Sequence, residues 1–231
     1  MIIKGFIENS LIDWEGRISS MVFISGCNFS CPFCHNRALI REDVQTVEIP
    51  QEKIIAILRE KRNWLDGVVI TGGEPCMSSG LVDFIKELKK LGYPVKLDTN
   101  GSYPHILEQL LKTKLVDYVA MDVKAPLNDN YQKVTGSKID IDKISQSINI
   151  IRSSAVDYEF RTTFVPAFLK KDDIVEIAAL LQGSKKYYIQ QFNPKETLDP
   201  ALREIEPYSS KYLLETLHDC RKLIQNTSLR D

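Results

Sequence analysis

The chain has 231 residues, of which 43% are hydrophobic and 26% charged, and its 30 basic residues nearly balance 31 acidic ones. This length allows a substantial core, and we expect residues 1–231 to form a single domain. The balanced charge argues against a broad surface for nucleic acid or anionic membrane. Since the sequence has neither a signal-like start nor an apolar run that could span a bilayer, we expect a cytoplasmic protein without membrane contact.

Short β-rich apolar runs alternate with longer stretches of helical period. The predicted strands are Met21–Ser25, Val68–Thr71, Val95–Asp98, Tyr118–Asp122, Tyr158–Thr163 and Tyr187–Gln191, with Met1–Phe6 as a candidate for a further short strand. The predicted helices are Gln51–Arg62, Leu81–Leu91, His105–Lys112, Asp142–Arg152, Asp172–Leu181 and Ser210–Gln225. Six strand–helix units in a row predict an α/β fold with parallel strands and crossover helices. Because a complete barrel needs eight units, we expect a partial (βα)6 barrel of the TIM type, with an open doubly wound sheet as the alternative.

Residues suited to chemistry come at the carboxyl end of every predicted strand. In parallel α/β folds these ends lie at one edge of the sheet, which is where ligands bind. The residues are Cys27, Gly72–Pro75, Asp98–Gly101, Asp122–Lys124, Arg161 and Gln191–Asn193. We therefore expect them to surround a single site.

Three of the five cysteines, Cys27, Cys31 and Cys34, fall within eight residues. Their spacing lets one loop wrap three thiolates around a compact iron–sulfur cluster, which leaves one iron open for a chelating ligand such as a methionine moiety. The alternative is structural zinc, which needs four ligands and usually takes them from two separated pairs. The candidates for a fourth ligand are His35, Cys76 and Cys220, and none has paired spacing. Cys76 and Cys220 are better explained as small buried apolar residues.

Three other loops carry groups that could contact a ligand. Gly72 and Gly73 permit close backbone approach and Glu74 supplies an anion for an ammonium group, although a tight turn explains the same residues. Taken alone, Asp98–Gly101 could be a polar turn, and Met121–Lys124 could hold a structural ion pair. The position of Met121–Lys124 beside the other loops favours ligand contact.

The run Cys27-x-x-x-Cys31-x-x-Cys34, with Phe33 before the third cysteine, resembles the signature of the radical S-adenosylmethionine superfamily. The resemblance implies that the three cysteines bind a four-iron, four-sulfur (4Fe-4S) cluster and that Phe33 lies against the adenine of S-adenosylmethionine. It also implies contacts to the rest of this cosubstrate: His35 and Asn36 near the adenosine, and Gly72, Gly73 and Glu74 near the methionine amino group.

Further segments resemble glycyl-radical-enzyme activators, above all the longer form of the anaerobic ribonucleoside-triphosphate reductase activating family. Pyruvate formate-lyase activating enzyme is a more distant likeness. The matching segments are Ser10–Gly16, Asp66–Pro75, Val95–Gly101, Val116–Pro126 and Arg161–Pro166.

This second resemblance implies roles for residues after the later strands. Asp98 and Asp122 would help hold a monovalent cation near the cosubstrate carboxylate, and Lys124 would face the same region. Arg161 would lie near that carboxylate, with a structural ion pair as the alternative. The cofactor-binding set is completed by Asn100 and by Asn193, which stands where relatives carry a histidine.

The function implied is reductive cleavage of S-adenosylmethionine to a 5′-deoxyadenosyl radical, which then generates a glycyl radical on a partner enzyme. The implied partners are a glycyl radical enzyme, in the first place anaerobic ribonucleotide reductase, and reduced flavodoxin or ferredoxin as electron donor. The alternatives are another glycyl radical enzyme as target, direct action on a small molecule as in 7-carboxy-7-deazaguanine synthesis, and a non-catalytic protein that uses its cluster for electron transfer.

Overall fold

A computed structural model describes residues 1–40 and 47–230. Within these residues, eight strands form one sheet in chain order. They are β1 Ile3–Ser10, β2 Ser19–Ile24, β3 Gly67–Gly72, β4 Val95–Thr99, β5 Tyr118–Asp122, β6 Asp157–Phe164, β7 Tyr187–Gln191 and β8 Thr227–Arg230. β1 is antiparallel to β2, and every later neighbour pair is parallel. In the part of the chain described, no pairing joins β1 to β8, so the barrel is partial.

Helices connect the successive parallel strands. They are α1 Arg37–Ile40, α2 Gln51–Glu60, α3 Leu81–Lys90, α4 Pro104–Lys112, α5 Asn130–Thr135, α6 Ile141–Ser153, α7 Lys171–Leu180 and α8 Ser210–Arg221. Short 3-10 turns lie at Pro75–Met77 and Pro200–Glu204. No helix of the described residues is long and apolar enough to cross a bilayer.

Local sequence explains where these helices begin and which side they bury. In α3, Leu81, Phe84, Ile85 and Leu88 recur at helical spacing and are all buried. Asp140 caps the start of α6 by accepting from the backbone N–H of Asp142 at 3.1 Å. The buried helix faces pack against one face of the sheet and form the main core.

The two faces of the sheet differ in chemistry. Val95 and Leu97 of β4 belong to the apolar core, whereas Lys96, between them, lies among polar groups inside the curve of the sheet. Its Nζ donates to the Asp13 carbonyl at 2.6 Å and lies 3.7 Å from Glu159 Oε1. The inner face therefore holds two buried charged side chains, one on β4 and one on β6.

The structure confirms the partial barrel and the six predicted parallel strands. It corrects the bounds of the first strand and of the last helix. The candidate strand Met1–Phe6 is β1, Ile3–Ser10, and it is antiparallel. The last helix ends at Arg221 rather than Gln225, because the chain turns there and continues into β8. Strand β8 was not predicted, since its four residues are too few to show a period. The short helices α1 and α5 were not predicted.

Candidate active site

The carboxyl ends of β2–β7 surround a cavity of about 420 Å³. This volume suits a small-molecule ligand. Every predicted site residue except Glu74 lines the cavity: Cys27, Cys31, Cys34, Phe33, His35, Asn36, Gly72, Gly73, Asp98, Asn100, Asp122, Lys124, Arg161 and Asn193. The structure therefore brings these residues together around one cavity.

The cysteine loop is anchored by three separate parts of the fold. The Gly26 N–H donates to the Leu39 carbonyl at 2.9 Å, and the Ser30 N–H donates to the carbonyl of Thr135, at the end of α5, at 3.0 Å. The Asp199 N–H, beyond β7, donates to the Pro32 carbonyl at 2.8 Å. These bonds shape the loop independently of any bound group.

The three thiols sit in a poorly solvated environment. Burial raises the pKa of Cys27 to about 11 and that of Cys31 to about 12, and it also raises the pKa of Cys34. The nearby Lys124 ammonium acts in the opposite direction on all three. A metal that bound these thiols as thiolates would therefore displace their protons, and the Lys124 ammonium favours the thiolate form.

The donor set fits a cluster with three protein ligands. Among the described residues, no three histidine, cysteine, aspartate or glutamate side chains are arranged to hold a single metal ion. A cubane cluster does not need such convergence, because each thiolate binds a different iron. Cys76 and Cys220, which were left out of the predicted site, are buried and do not line the cavity.

The glycine loop after β3 packs directly against the cysteine loop. The Glu74 N–H donates to the Gly26 carbonyl at 2.8 Å, and the Asn36 amide donates to the Gly72 carbonyl at 3.0 Å. A Cβ on Gly73 would lie 1.8 Å from the Gly26 carbonyl oxygen, so only glycine fits at this close approach.

Glu74 occupies a different position from that implied by the resemblance. Its carboxylate is fully buried outside the cavity lining and accepts from the Cys76 N–H at 2.9 Å, the Thr99 hydroxyl at 2.7 Å and the Asn100 N–H at 2.6 Å. Burial raises the pKa of Glu74, although these three donors oppose the rise. The carboxylate thus joins the loops after β3 and β4, and the groups that this loop presents to the cavity belong to Gly72 and Gly73.

Four charged side chains in the cavity lining form a chain of ion pairs. Asp122 accepts from Lys124 Nζ at 2.8 Å and from Arg161 Nε at 2.9 Å, and Arg161 reaches Asp98 Oδ2 at 3.2 Å. Burial opposes ionisation of Asp122, but Arg161 and Lys124 outweigh it and hold its pKa below the ordinary value. The other oxygen of Asp98, Oδ1, is buried without a hydrogen-bond partner.

The remaining predicted residues form the rim and the aromatic wall. Phe33 is buried against Phe168, and Lys124 Nζ lies 5.9 Å from its ring centroid. His35 is exposed, and its Nε2 lies 3.1 Å from the main-chain oxygen of Asn193. The Asn193 side chain accepts from the Lys195 N–H at 3.0 Å.

Several lining residues lie outside the segments selected from the sequence: Phe29, Ile40, Thr71, Thr163 and Gln190. Thr71 and Thr163 lie at strand ends, so the rule that found the other residues could have found these two. The Gln191 amide donates to the Tyr208 carbonyl at 2.8 Å, and its Oε1 is buried without a partner.

The chain belongs to the radical S-adenosylmethionine superfamily, whose family model matches residues 21–182. It is 33% identical over 99% of its length to a protein of Methanocaldococcus jannaschii that is provisionally named a glycyl-radical enzyme activating enzyme, and it covers 95% of that protein. It is also 29% identical over 83% of its length to a protein of Saccharolobus solfataricus provisionally named a GTP 3′,8-cyclase, of which it spans 64%.

The fold also matches that of solved structures. SuiB from Streptococcus suis superposes with a TM-score of 0.67 over 91% of this chain at 15% identity. The chain spans 48% of SuiB, so the match concerns about half of that protein. At this identity the likeness describes the fold alone.

Proposed function

We propose that the protein is a radical S-adenosylmethionine activase that generates a glycyl radical on anaerobic ribonucleotide reductase. The observation that carries the proposal is one cavity lined both by three cysteine thiols and by the Asp98–Arg161–Asp122–Lys124 charge chain. Further support comes from the relative named as an activating enzyme and from the segment resemblances after β3, β4 and β5.

Cys27, Cys31 and Cys34 would hold a 4Fe-4S cluster. When bound, the cluster and S-adenosylmethionine supply the reductive carbon–sulfur cleavage that yields the 5′-deoxyadenosyl radical. Phe33 offers an apolar wall for the adenine. Arg161 offers a guanidinium to the methionine carboxylate while its own carboxylate partners fix its orientation.

Asp98 and Asp122 support the proposal of a monovalent cation beside the cosubstrate. Asp98 Oδ1 is a buried carboxylate oxygen without a hydrogen-bond donor, and Lys96 Nζ lies 3.9 Å from it. A carboxylate oxygen is a suitable ligand for a hard cation, which would share this oxygen with the lysine ammonium. Arg161 already bridges the other Asp98 oxygen to Asp122, so the cation would add to that pair rather than replace it.

The target glycine lies in a partner protein, so a segment of that partner must enter the cavity. The unpaired edges of β1 and β8 leave the barrel wall open in the described residues, which is compatible with such entry. We propose reduced flavodoxin or ferredoxin as electron donor, and the cytoplasm as the compartment where these partners meet.

The test is anaerobic activation of the target. The reconstituted protein, S-adenosylmethionine and dithionite are incubated with anaerobic ribonucleotide reductase, and electron paramagnetic resonance is used to look for a glycyl radical. We expect the radical with the wild type and no radical with Cys31→Ala. A parallel incubation contains pyruvate formate-lyase instead. A radical that forms only on that enzyme would show that ribonucleotide reductase is not the target.

Action on a small molecule is the second candidate, and the likeness to a protein named a GTP 3′,8-cyclase favours it. It predicts 5′-deoxyadenosine without a protein radical on either glycyl radical enzyme. If a fully loaded protein forms no 5′-deoxyadenosine at all, the enzymatic proposal fails, and an electron-transfer role would take its place.

A further inference from the structure

Asn100 lies between the glycine loop and the cysteine loop, with its amide held in one orientation. Its side-chain oxygen accepts from the Ser102 N–H at 3.0 Å and from the Ser102 hydroxyl at 2.6 Å. These two donors fix which end of the amide is oxygen. The NH₂ group must therefore point the other way, toward Asn28 and Cys27.

The two N–H bonds of that amide have separate acceptors. Asn100 Nδ2 lies 3.1 Å from Asn28 Oδ1 and 3.8 Å from Cys27 Sγ, which is within hydrogen-bond range for sulfur. The Asn28 amide in turn donates to the Ser102 hydroxyl at 3.0 Å. Asn100, Asn28 and Ser102 thus form a closed ring of hydrogen bonds beside the cysteine sulfur.

The ring is also attached to the buried Glu74 carboxylate, which accepts from the Asn100 backbone N–H at 2.6 Å. Asn100 is only 6% exposed, so water competes little for its amide. The Phe29 backbone N–H, at 3.4 Å from Cys27 Sγ, provides a second donor to the same sulfur. The Cys27 sulfur therefore has two N–H donors already in place, one from the Asn100 amide and one from the Phe29 backbone.

We propose that Asn100 is a positioning residue that orients Cys27 and raises the reduction potential of the cluster through its N–H···S bond. The proposal rests on the cluster assigned above and adds to it a role for a residue that the resemblance places among the cosubstrate contacts. Reduction adds negative charge that is shared with the thiolate sulfurs. A fixed donor stabilises the reduced form more than the oxidised form, and hydrogen bonds to the sulfurs are a recognised means of tuning such potentials.

The test compares cluster potentials in the absence of S-adenosylmethionine. Wild type, Asn100→Leu and the control Gln190→Leu are reconstituted anaerobically, checked for equal iron and sulfide, and titrated potentiometrically with electron paramagnetic resonance detection. Leucine has the branched shape of asparagine but no donor. Gln190 also carries an amide and lines the same cavity, but it belongs neither to the hydrogen-bond ring nor to the proposed cofactor contacts.

We expect a more negative midpoint potential for Asn100→Leu and an unchanged potential for Gln190→Leu. Equal potentials for Asn100→Leu and wild type at full loading would overturn the inference. If Asn100→Leu does not load, Ser102→Ala decides, because it keeps the amide and the Ser102 N–H but removes the hydroxyl that donates to the Asn100 oxygen and accepts from Asn28. A smaller negative shift supports the inference, and no shift refutes it. Failure of the wild type itself to take up iron would instead contradict the cluster assignment.

Discussion

Replacement of Asp122 by asparagine removes the carboxylate that joins two largely buried cations. Its oxygens lie 2.8 Å from Lys124 Nζ and 2.9 Å from Arg161 Nε, and the side chains of these cations are 15% and 12% exposed. Loss of one partner of a buried ion pair costs about 3–5 kcal/mol. Because Arg161 keeps Asp98 and asparagine still accepts one hydrogen bond, we expect about 3 kcal/mol, or a Tm lowered by about 6–12 °C for a chain of this size.

The loss should also depend on pH. Arg161 and Lys124 overcome the effect of burial and hold the pKa of Asp122 below the ordinary value of 3.8. A carboxyl group with a lowered native pKa stabilises the fold above its unfolded-state pKa, and this contribution disappears as the pH falls through the native value. The difference between wild type and Asp122→Asn should therefore be constant from about pH 6 to 8 and shrink below about pH 4.

Denaturant unfolding of the cluster-free protein, followed by circular dichroism, measures this difference. The matched control is Asp83→Asn, which removes an exposed carboxylate 3.0 Å from Lys86 and should cost less than about 1 kcal/mol. If Asp122→Asn loses no more stability than the control, Asp122 does not hold Lys124 and Arg161 together, and the stabilising role given to these ion pairs is refuted.

Three more predictions concern the cysteines and the residues around the cysteine loop. Gly73→Ala should displace the cysteine loop and sharply lower iron uptake on reconstitution. Gly16→Ala is strained by its φ of +73°, but its Cβ meets nothing within 4 Å, so this control should load normally; normal loading of Gly73→Ala would contradict the steric argument. Cys220→Ala should retain about four irons per chain, while Cys31→Ala should lose intact cluster and 5′-deoxyadenosine formation. Lys124→Met should slow alkylation of the cluster-free thiols at mildly alkaline pH, because loss of the ammonium raises their pKa further; an unchanged rate would show that Lys124 does not act on them.

The sequence predicted the position of the site better than the orientation of each side chain in it. Asp98, Asp122 and Arg161 were found because strand ends gather at one edge of a parallel sheet, and this depends only on the order of strands. The orientation of Glu74 could not be found in this way. It depends on three donors, two of them from the neighbouring loop, and their approach is a tertiary property.

The same distinction between local pattern and tertiary contact applies to the strands. The strands β2–β7 are apolar runs bounded by turns, and a local pattern predicts them. Strand β8 has four residues and owes its conformation to pairing with β7, so the sequence around Thr227–Arg230 contains no comparable signal. The Asn100 ring was missed for the related reason that its members, Asn28 and Ser102, come from loops far apart in the chain.

The anchoring of the cysteine loop has a consequence for maturation during synthesis. The loop is complete in the sequence by residue 34, yet two of its anchors are Thr135 and Asp199. A nascent chain that has released only its first third from the ribosome therefore contains all three thiols but not the framework that shapes them. Iron delivery is thus best timed after nearly the whole barrel has formed. Residues in the last third of the chain are needed to shape the cysteine loop in the first third before that loop binds its metal.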